Sequence, residues 1–338
     1  MPVVVSPIIE PLDRRTHLSA TLTAQGLLQV AGGTGNDVIT LTREGSLLRV
    51  TIDSQSLDQT FALSAVQNYE ITGLSGNDQL LLDDTVSVPG TLLGGDGDDT
   101  LRGGAGADTF NVGLGADTVD YSARTGAMKL SIDSIADDGL PGEGDNLLLC
   151  IETIIGGSGN DRIKGCPTNN LIFGNGGKDT IDGVSGNDTV SGGNGNDIFT
   201  ASAGNDSYFG SGGRDTVDYS AESANLTLSI DGIANDGTPG ETDNVAGSIE
   251  NLVGGAGADI ITGNGRANVL IGNGGNDQIF GGSGEDQIIG GGGEDLLSGQ
   301  AGTDELIAGD GEQDIVSGGS GIDTLTSSDE VDMTDSVP

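Results

Sequence analysis

The chain has 338 residues, including 62 glycines and no tryptophan, and carries a formal net charge of -40 at pH 7. Only 34% of its residues are hydrophobic, whereas ordinary soluble domains contain about 45–50% apolar residues, so the composition excludes a thick globular core. The excess of carboxylates makes nucleic acid a poor partner and cations natural ones. The sequence has no run of 18 apolar residues, so we expect no membrane insertion.

The first 93 residues are less regular than the rest of the chain. Residues 1–20 form a leader-like segment, but its basic pair follows the apolar stretch, unlike an ordinary cleavable secretory peptide. Residues 21–93 contain alternating stretches, such as Ser46–Asp53, that predict half-buried β-strands. Two isolated repeats in this region contain Asp37 and Asp78, and we expect both residues to lack adjacent partners.

The rest of the chain is dominated by a nine-residue pattern, G-G-x-G-x-D-x-U-x, in which U is a large apolar residue. With the two isolated repeats, twenty frames of the chain keep most of the pattern; eighteen have Asp at the sixth position, and the other two have Asn170 and Asn268. Three blocks of frames, two inserts and an acidic tail follow each other as 94–120 (block 1), 121–155 (insert 1), 156–218 (block 2), 219–253 (insert 2), 254–326 (block 3) and 327–338 (tail). The stretch Asp117–Asn146 recurs as Asp215–Asn244, 98 residues later, which indicates duplication of a whole module.

Each nonapeptide predicts a six-residue turn and a three-residue strand. Glycines at positions one, two and four allow positive φ angles and let backbone carbonyls approach a ligand closely. A three-residue strand is about 10 Å long and turns its middle side chain to one face. Two units would make one coil of a right-handed parallel β-roll, whose thin core is filled by the eighth-position residues. The predicted fold is therefore an all-β solenoid in several blocks, with inserted β-strand modules and an N-terminal β-rich region.

The spacing of the sixth-position aspartates predicts a cation. Stacked strands lie about 4.7–4.9 Å apart, which places each aspartate above the one two units earlier, where the two carboxylates repel each other. Calcium fits because it takes six to eight oxygen ligands at about 2.3–2.6 Å, whereas magnesium demands stricter octahedral geometry. Zinc is not expected, since His17 is the only histidine. We therefore predict several Ca²⁺ ions and largely unfolded repeat blocks without them.

The stretches Gly94–Arg102, Gly156–Lys164 and Gly192–Thr200 closely resemble the hemolysin-type calcium-binding repeats, or RTX repeats, of secreted bacterial proteins. The resemblance implies a parallel β-roll in which the sixth-position aspartates and the carbonyls of the glycine-rich loops hold calcium between turns. The implied carboxylate ligands are Asp99, Asp108, Asp117, Asp161, Asp179, Asp188, Asp197, Asp206, Asp215, Asp259, Asp277, Asp286, Asp295, Asp304, Asp314 and Asp323. The implied loop carbonyls include those of Gly156, Gly159, Gly192, Gly195, Gly281 and Gly284.

Some frames depart from this pattern. Sites that would use Asn170 or Asn268 should be weaker or empty, because an amide lacks the carboxylate charge. The turn that begins at Ala201 lacks its first two glycines, and Glu312 replaces the fourth glycine of another turn. Asp37 and Asp78 are equally compatible with a ligand role and with ordinary turns.

Two features, the acidic clusters of the inserts and the pair of cysteines, stay open at the level of sequence. Each insert carries an acidic cluster, which predicts either a solvated loop or a further calcium site. The clusters are Asp138, Glu143 and Asp145 in the first insert, and Asp236, Glu241 and Asp243 in the second. The two cysteines, Cys150 and Cys166, could form one disulfide or stay apart.

Three functions are compatible with the sequence. The first is a secreted, calcium-stabilised structural protein that folds on export, and the second is a calcium-dependent adhesin for an extracellular protein or glycan. The third is an RTX-linked hydrolase, although we expect no enzyme because the chain lacks H-E-x-x-H and G-x-S-x-G motifs. An ice-binding surface would need a threonine at the same position of successive coils, and Thr34 is not repeated in this way.

The expected location follows from calcium affinity. Extracellular calcium modules often bind with dissociation constants of about 10⁻⁴–10⁻³ M, so we expect an extracellular or cell-surface location. The resemblance implies type I secretion.

Overall fold

The computed structural model is all-β. It describes residues 18–53, 56–148, 151–309, 311–326 and the backbone of 333–334. Most of the leader-like segment, His17, Cys150 and nearly all of the acidic tail lie outside these residues. Within the described part of the chain, one 3₁₀-helix, Leu63–Ala65, is the only helical element. The chain divides into two compact units, unit 1 with residues 1–120 and 134–151, and unit 2 with residues 121–133 and 152–338.

Unit 1 contains two sheets. Its strands, numbered along the whole chain, are β1 Ser19–Leu22, β2 Leu27–Ala31, β3 Val38–Glu44, β4 Leu47–Ile52, β5 Leu57–Ala62, β6 Asn68–Ser75, β7 Gln79–Leu82, β8 Gly90–Asp96, β9 Thr100–Arg102, β10 Asp108–Leu114, β11 Thr118–Asp120 and β13 Asn146–Leu147. One sheet has the order β1-β2-β6-β8-β10-β13 and is parallel except for the β1–β2 pair. In the other, β3, β7, β9 and β11 are parallel neighbours, and β4 and β5 extend it from β3 as antiparallel strands.

Unit 2 consists of parallel strands stacked in three sheets. Its strands are β12 Lys129–Ser131, β14 Thr153–Ile155, β15 Arg162–Lys164, β16 Leu171–Gly176, β17 Thr180–Asp182, β18 Thr189–Asn194, β19 Ile198–Thr200, β20 Ser207–Gly212, β21 Thr216–Asp218, β22 Thr227–Ser229, β23 Asn244–Val245, β24 Asn251–Val253, β25 Ile260–Thr262, β26 Val269–Gly274, β27 Gln278–Gly284, β28 Gln287–Gly292, β29 Leu296–Gly302, β30 Glu305–Ile307, β31 Ile315–Ser317, β32 Thr324–Thr326 and β33 Met333–Thr334. The long sheet is β12-β15-β17-β19-β21-β24-β26-β28-β30-β32. The others are β14-β16-β18-β20-β23 and β22-β25-β27-β29-β31-β33. This stacking confirms the predicted parallel β-roll.

The thin core is made by the eighth-position residues, as predicted. Nineteen of the twenty are at most 2% exposed, and Leu325 is half-buried. Their neighbours on either side point outward because side chains alternate along a strand. One bulky residue per nonapeptide is therefore enough to fill the interior, which explains how a chain with so few apolar residues folds.

The strands are often longer than the three residues predicted. β16 continues from Leu171 into the following turn, because Asn175 pairs with Gly193 and Gly176 with Asn194 in the next coil. The glycine-rich turns therefore stack on one another through backbone pairing and are not simple connections. The division into a six-residue turn and a three-residue strand is therefore wrong for repeats such as that of β16, whereas β15, β17 and β19 have the predicted three residues.

Candidate metal centre

The sixth-position aspartates of successive coils are joined by hydrogen bonds. The backbone N–H of Asp179 donates to Oδ1 of Asp197 at 2.8 Å, and the N–H of Asp197 donates to Oδ1 of Asp215 at 2.8 Å. We call this arrangement an aspartate ladder. Its spacing of 18 residues confirms that two nonapeptides form one coil and that equivalent aspartates lie above one another.

Unit 1 contains a ladder of the same kind. The N–H of Asp37 donates to Oδ1 of Asp78 at 2.7 Å, and Asp78 and Asp99 are linked in the same way at 2.7 Å. The expectation that Asp37 and Asp78 lack adjacent partners is therefore wrong. The sequence separations of 41 and 21 residues hid the relationship, since antiparallel strands and longer loops fill the extra length.

All sixteen predicted ligand aspartates are buried, none more than 9% exposed. Burial raises the pKa of Asp179, Asp188 and Asp277 to about 7, although the N–H donor of the preceding coil pulls each pKa down. The charges of neighbouring aspartates raise these pKa values further. Without a cation, the interior of the ladder thus disfavours the charged carboxylate.

Most ladder aspartates keep one carboxylate oxygen without a hydrogen bond. In what we call uncapped loops, Oδ1 accepts the ladder bond while Oδ2 is buried and has no hydrogen-bond partner. Ten such aspartates are Asp78, Asp99, Asp179, Asp188, Asp197, Asp215, Asp277, Asp286, Asp304 and Asp323. A buried carboxylate oxygen left in this way carries a large desolvation penalty unless a cation or donor reaches it.

Other loops satisfy Oδ2 from within the protein, and we call these capped loops. The N–H of Gly157 donates to Oδ2 of Asp161 at 2.9 Å, and the N–H of Gly255 donates to Oδ2 of Asp259 at 2.8 Å. Asp37 and Asp108 are capped by Gly33 and Gly104. In the turn that begins at Ala201, the hydroxyls of Ser202 and Tyr208 each donate to Oδ2 of Asp206 at 3.1 Å.

The backbone explains the two classes of loop. In uncapped loops the second residue has a left-handed φ, as at Gly193 (φ 101°) and Asn175 (φ 72°), whereas the second glycine of the capped loops does not. The first-position glycines other than Gly309 also lack a left-handed φ, contrary to prediction. They are needed for space, since a β-carbon on Gly174 would lie 2.7 Å from the carbonyl oxygen of Gly192 and closer still to Oδ2 of Asp179.

These contacts place a carboxylate oxygen and a backbone carbonyl oxygen beside several first-position glycines, such as Gly174, Gly272 and Gly281. Oδ2 of Asp179 and the carbonyl oxygen of Gly192 face the same space beside Gly174, and the carbonyl of Gly281 lies in the same way beside Gly263. The carbonyl of Gly156 instead accepts the side-chain amide of Asn175. The fourth-position carbonyls of Gly159, Gly195 and Gly284 face the fourth glycine of the following coil.

This donor set fits calcium. It consists of hard oxygens from carboxylates and backbone carbonyls, which is the combination that calcium takes. Among the described residues, no three His, Cys, Asp or Glu side chains form a cluster that could hold a metal. Backbone carbonyls would therefore have to complete the coordination of any ion in the uncapped loops.

The two asparagine frames are capped. The N–H of Cys166 donates to Oδ1 of Asn170 at 2.8 Å, and the N–H of Asn264 donates to Oδ1 of Asn268 at 2.9 Å. The amide of Asn268 also donates to the carbonyl of Glu250 at 2.8 Å. Cys166 itself is a buried free thiol.

The carboxylates of the acidic cluster in insert 2 accept hydrogen bonds from donors within the protein. Asp236 accepts the N–H groups of Ser229 and Val245, and Asp243 accepts the hydroxyl of Tyr219 at 2.9 Å. The side chain of Glu241 folds back and accepts bonds from its neighbour Thr238. Asp236 and Asp243 are at most 1% exposed, so a solvated loop is the wrong description of both. Asp138 and Asp145 are fully buried in insert 1 as well.

Sequence reasoning missed that residues of the insert continue the ladders. Asp206 donates its N–H to Oδ1 of Asp243 at 2.8 Å, and Asp215 donates to Oε2 of Glu250 at 3.0 Å. The available signal was a carboxylate two residues before a buried apolar residue. That spacing holds for Glu250 before Leu252, as it does for the sixth and eighth positions of the nonapeptide.

A parallel β-roll lined with stacked aspartates and loop carbonyls defines the chain as a β-solenoid of the calcium-binding class. The family model described as RTX calcium-binding nonapeptide repeat (4 copies) matches residues 90–119, 155–190, 182–217, 253–288, 280–312, 289–325 and 313–329. Because these matches cover just over half of the chain, it belongs to the RTX calcium-binding nonapeptide repeat family. Comparison with curated proteins gives no match. Within the described ranges, no helix is long and apolar enough to cross a membrane.

Proposed function

We propose that the chain is a secreted structural protein whose β-roll is stabilised by several calcium ions and folds on export. The observation that carries the proposal is the row of buried Oδ2 atoms without a hydrogen-bond partner in the uncapped loops. Folding buries these oxygens, and a divalent cation would offset both their desolvation and their mutual repulsion.

The uncapped loops would hold the ions. In block 2, Oδ2 of Asp179 and the carbonyl of Gly192 would be ligands from adjacent coils, and Oδ2 of Asp277 with the carbonyl of Gly290 would do the same in block 3. The bound calcium would supply positive charge, while the chain positions the oxygens and excludes water. The capped loops of Asp161 and Asp259 are proposed to take no ion through Oδ2, because a backbone N–H already occupies it.

An extracellular location follows from the proposed chemistry. Sites with dissociation constants of about 10⁻⁴–10⁻³ M would be empty at cytosolic calcium levels and filled outside the cell. Each filled site stabilises the fold according to the ratio of free calcium to its dissociation constant, so many weak sites act together. The uncapped coils would therefore remain unfolded until the chain reaches calcium, consistent with type I secretion as a route.

The proposal is tested by calcium titration of the whole chain, followed by circular dichroism and calorimetry. We expect little β-signal in excess chelator at neutral pH and a cooperative gain as calcium is added. Magnesium at the same concentration should produce a much smaller gain, because it holds its own waters more tightly. A full β-signal in chelator would contradict the proposal.

Adhesion is a second candidate, favoured by one surface feature. A cleft of about 280 Å³ on unit 2 is lined by Lys178 and Arg214 together with Thr216 and Asn251. Two basic residues in one cleft stand out on a chain with 12 Lys and Arg against 52 Asp and Glu. Calcium-dependent binding on a glycan array, lost in a Lys178→Ala and Arg214→Ala double variant, would favour adhesion. We propose no catalytic role.

A further inference from the structure

One part of unit 2 satisfies its buried carboxylates without a metal. This part, which we call the junction, comprises the turn and strand start at residues 201–208 and residues 219–268. The buried carboxylates of the junction are those of Asp206, Asp236, Asp243, Glu250 and Asp259. Every one of their carboxylate oxygens has a protein donor. Asp215, between the two stretches, is uncapped and belongs to block 2.

Tyrosine hydroxyls supply two of these donors. Tyr219 donates to Oδ2 of Asp243 at 2.9 Å, and Tyr208 donates to Oδ2 of Asp206 at 3.1 Å. Both tyrosines are 2% exposed, and their rings contact edge to face with centroids 6.5 Å apart. Phe199 extends the contact, with its centroid 5.9 Å from that of Tyr208. The aromatic side chains therefore add a thicker core at the place where the carboxylates have donors of their own.

Glu250 forms an ion pair with a basic side chain of the junction. Arg266 occupies the fourth position of its frame, where the pattern has glycine, and its Nη1 lies 3.1 Å from Oε1 of Glu250. The other oxygen of Glu250 accepts the ladder bond from Asp215. The corresponding residue of the next coil is Asn268, which has an amide in place of a carboxylate and donates it to the backbone carbonyl of Glu250. At this point an amide stands where other coils have an uncapped aspartate, and an arginine stands where they have the fourth glycine.

The junction also joins the sheets of unit 2. β23 is the edge strand next to β20 in the run β14-β16-β18-β20-β23, and β22 is the first strand of the sheet that ends with β33. β24 continues the ten-stranded sheet between β21 and β26. The junction therefore contains the last strand of one row of paired strands and the first strand of another. It also provides edges on which strands of both block 2 and block 3 pair.

We propose that the junction is a calcium-independent core of unit 2, and that the uncapped coils on either side order on it when calcium binds. This inference rests on the proposed function, because it assigns calcium dependence to the flanking coils. It adds that calcium binding in unit 2 falls into two groups, one in block 2 and one in block 3. Folding would spread outward from the junction, whose strand edges are already in register.

Hydrogen–deuterium exchange with mass spectrometry on the whole chain tests the proposal. In chelator at neutral pH we expect protection in β20, β22 and β24, and rapid exchange in β18 and β28. Calcium should then protect the flanking coils. Uniform rapid exchange in chelator would overturn the junction as a core while leaving calcium-driven folding intact. Uniform protection in chelator would instead contradict the proposed function itself.

A pair of variants separates the two kinds of coil. Tyr219→Phe removes the donor to Asp243, so protection of the junction in chelator should fall about tenfold or more, as expected when a buried polar group loses its partner. Asp304→Asn, in an uncapped loop of block 3, should leave the junction unchanged in chelator and raise the calcium needed to protect β30. Tyr219→Phe with unchanged junction protection would overturn the inference.

Discussion

The backbone N–H of Asp179 donates to Oδ1 of Asp197 at 2.8 Å, while Oδ2 of both residues is buried without a hydrogen-bond partner. The two oxygens of one carboxylate thus have different tasks. Oδ1 fixes the stacking of coils through the backbone, and Oδ2 remains for a cation. Substitutions that change only one of these tasks have distinct expected effects.

Asp197→Asn should weaken calcium binding without breaking the ladder. The amide oxygen can still accept the N–H of Asp179, but the charge at the Oδ2 position is lost. We expect fewer bound ions and a calcium midpoint several-fold higher, measured by calorimetry and circular dichroism. In chelator the variant should be no less stable than the parent chain, because burial raises the pKa of Asp197 and disfavours its charge.

Asp259→Asn is the matched control in a capped loop. Oδ2 of Asp259 already accepts the N–H of Gly255, so no ion is expected to depend on it. The substitution should cost about 1 kcal/mol for a disturbed hydrogen bond, to a similar extent with and without calcium. An equal loss of bound ions in both variants would show that the distinction between capped and uncapped loops has no bearing on binding.

Two glycines of one loop should respond very differently to alanine. A β-carbon on Gly272 would overlap Oδ2 of Asp277 and the carbonyl oxygen of Gly290, whereas one on Gly274 meets no atom within 4 Å. We expect Gly272→Ala to destabilise the calcium-bound fold by about 1–3 kcal/mol, as overpacking does, and to lower calcium affinity. Gly274→Ala should stay within about 0.5 kcal/mol of the parent in chemical unfolding. Similar losses for both would refute the steric argument.

The repeated features of the fold were predictable because every coil is subject to the same constraints of core packing and strand spacing. The eighth-position residues could be assigned to the core from Ile39 to Val316, since one apolar residue per nine must face inward in a thin roll. The stacking of aspartates followed from the strand spacing and the 18-residue coil. Local periodicity was sufficient in both cases.

Whether a loop is capped or uncapped was not predictable from the loop's own residues. The loop at Gly156 is capped and the loop at Gly192 is uncapped, yet their first six residues differ only at the third position. The difference lies in the preceding coil. Ser158 donates its N–H to the carbonyl of Arg124, within an insert, and the capped loop of block 3 has the same relation to Glu222. A loop that stacks on an insert lacks a nonapeptide to pair with. The N–H of its second glycine therefore donates to the aspartate of the same loop.

The thin core should make Phe199 far more sensitive than its exposed neighbour Phe209. Phe199 is fully buried, while Phe209 is 37% exposed. We expect Phe199→Ala to cost about 3–5 kcal/mol through lost burial and a cavity, and to raise the calcium midpoint because ions must offset that cost. Phe209→Ala should have a small effect on both. Chemical unfolding at saturating calcium checks the first value, and a loss of less than about 1 kcal/mol for Phe199→Ala would contradict the predicted core.

Acid should partly replace calcium in stabilising the roll. In the calcium-free fold, burial raises the pKa of Asp179, Asp188 and Asp277 to about 7, from 3.8 in the unfolded chain. Between these values the folded state binds more protons than the unfolded state, so its stability falls as pH rises and is regained as pH falls. We expect the β-signal in chelator to increase between pH 8 and about pH 5.5, above the sequence pI of about 4.1.

General loss of negative charge would also favour folding at lower pH, so the test needs a variant. In a chain with Asp179→Asn, Asp188→Asn and Asp277→Asn, these three groups no longer titrate. The β-signal in chelator should then be higher at pH 8 and change less with pH than in the parent chain. An unchanged pH profile would assign the effect to net charge, because the buried carboxylates would then contribute nothing to the proton linkage.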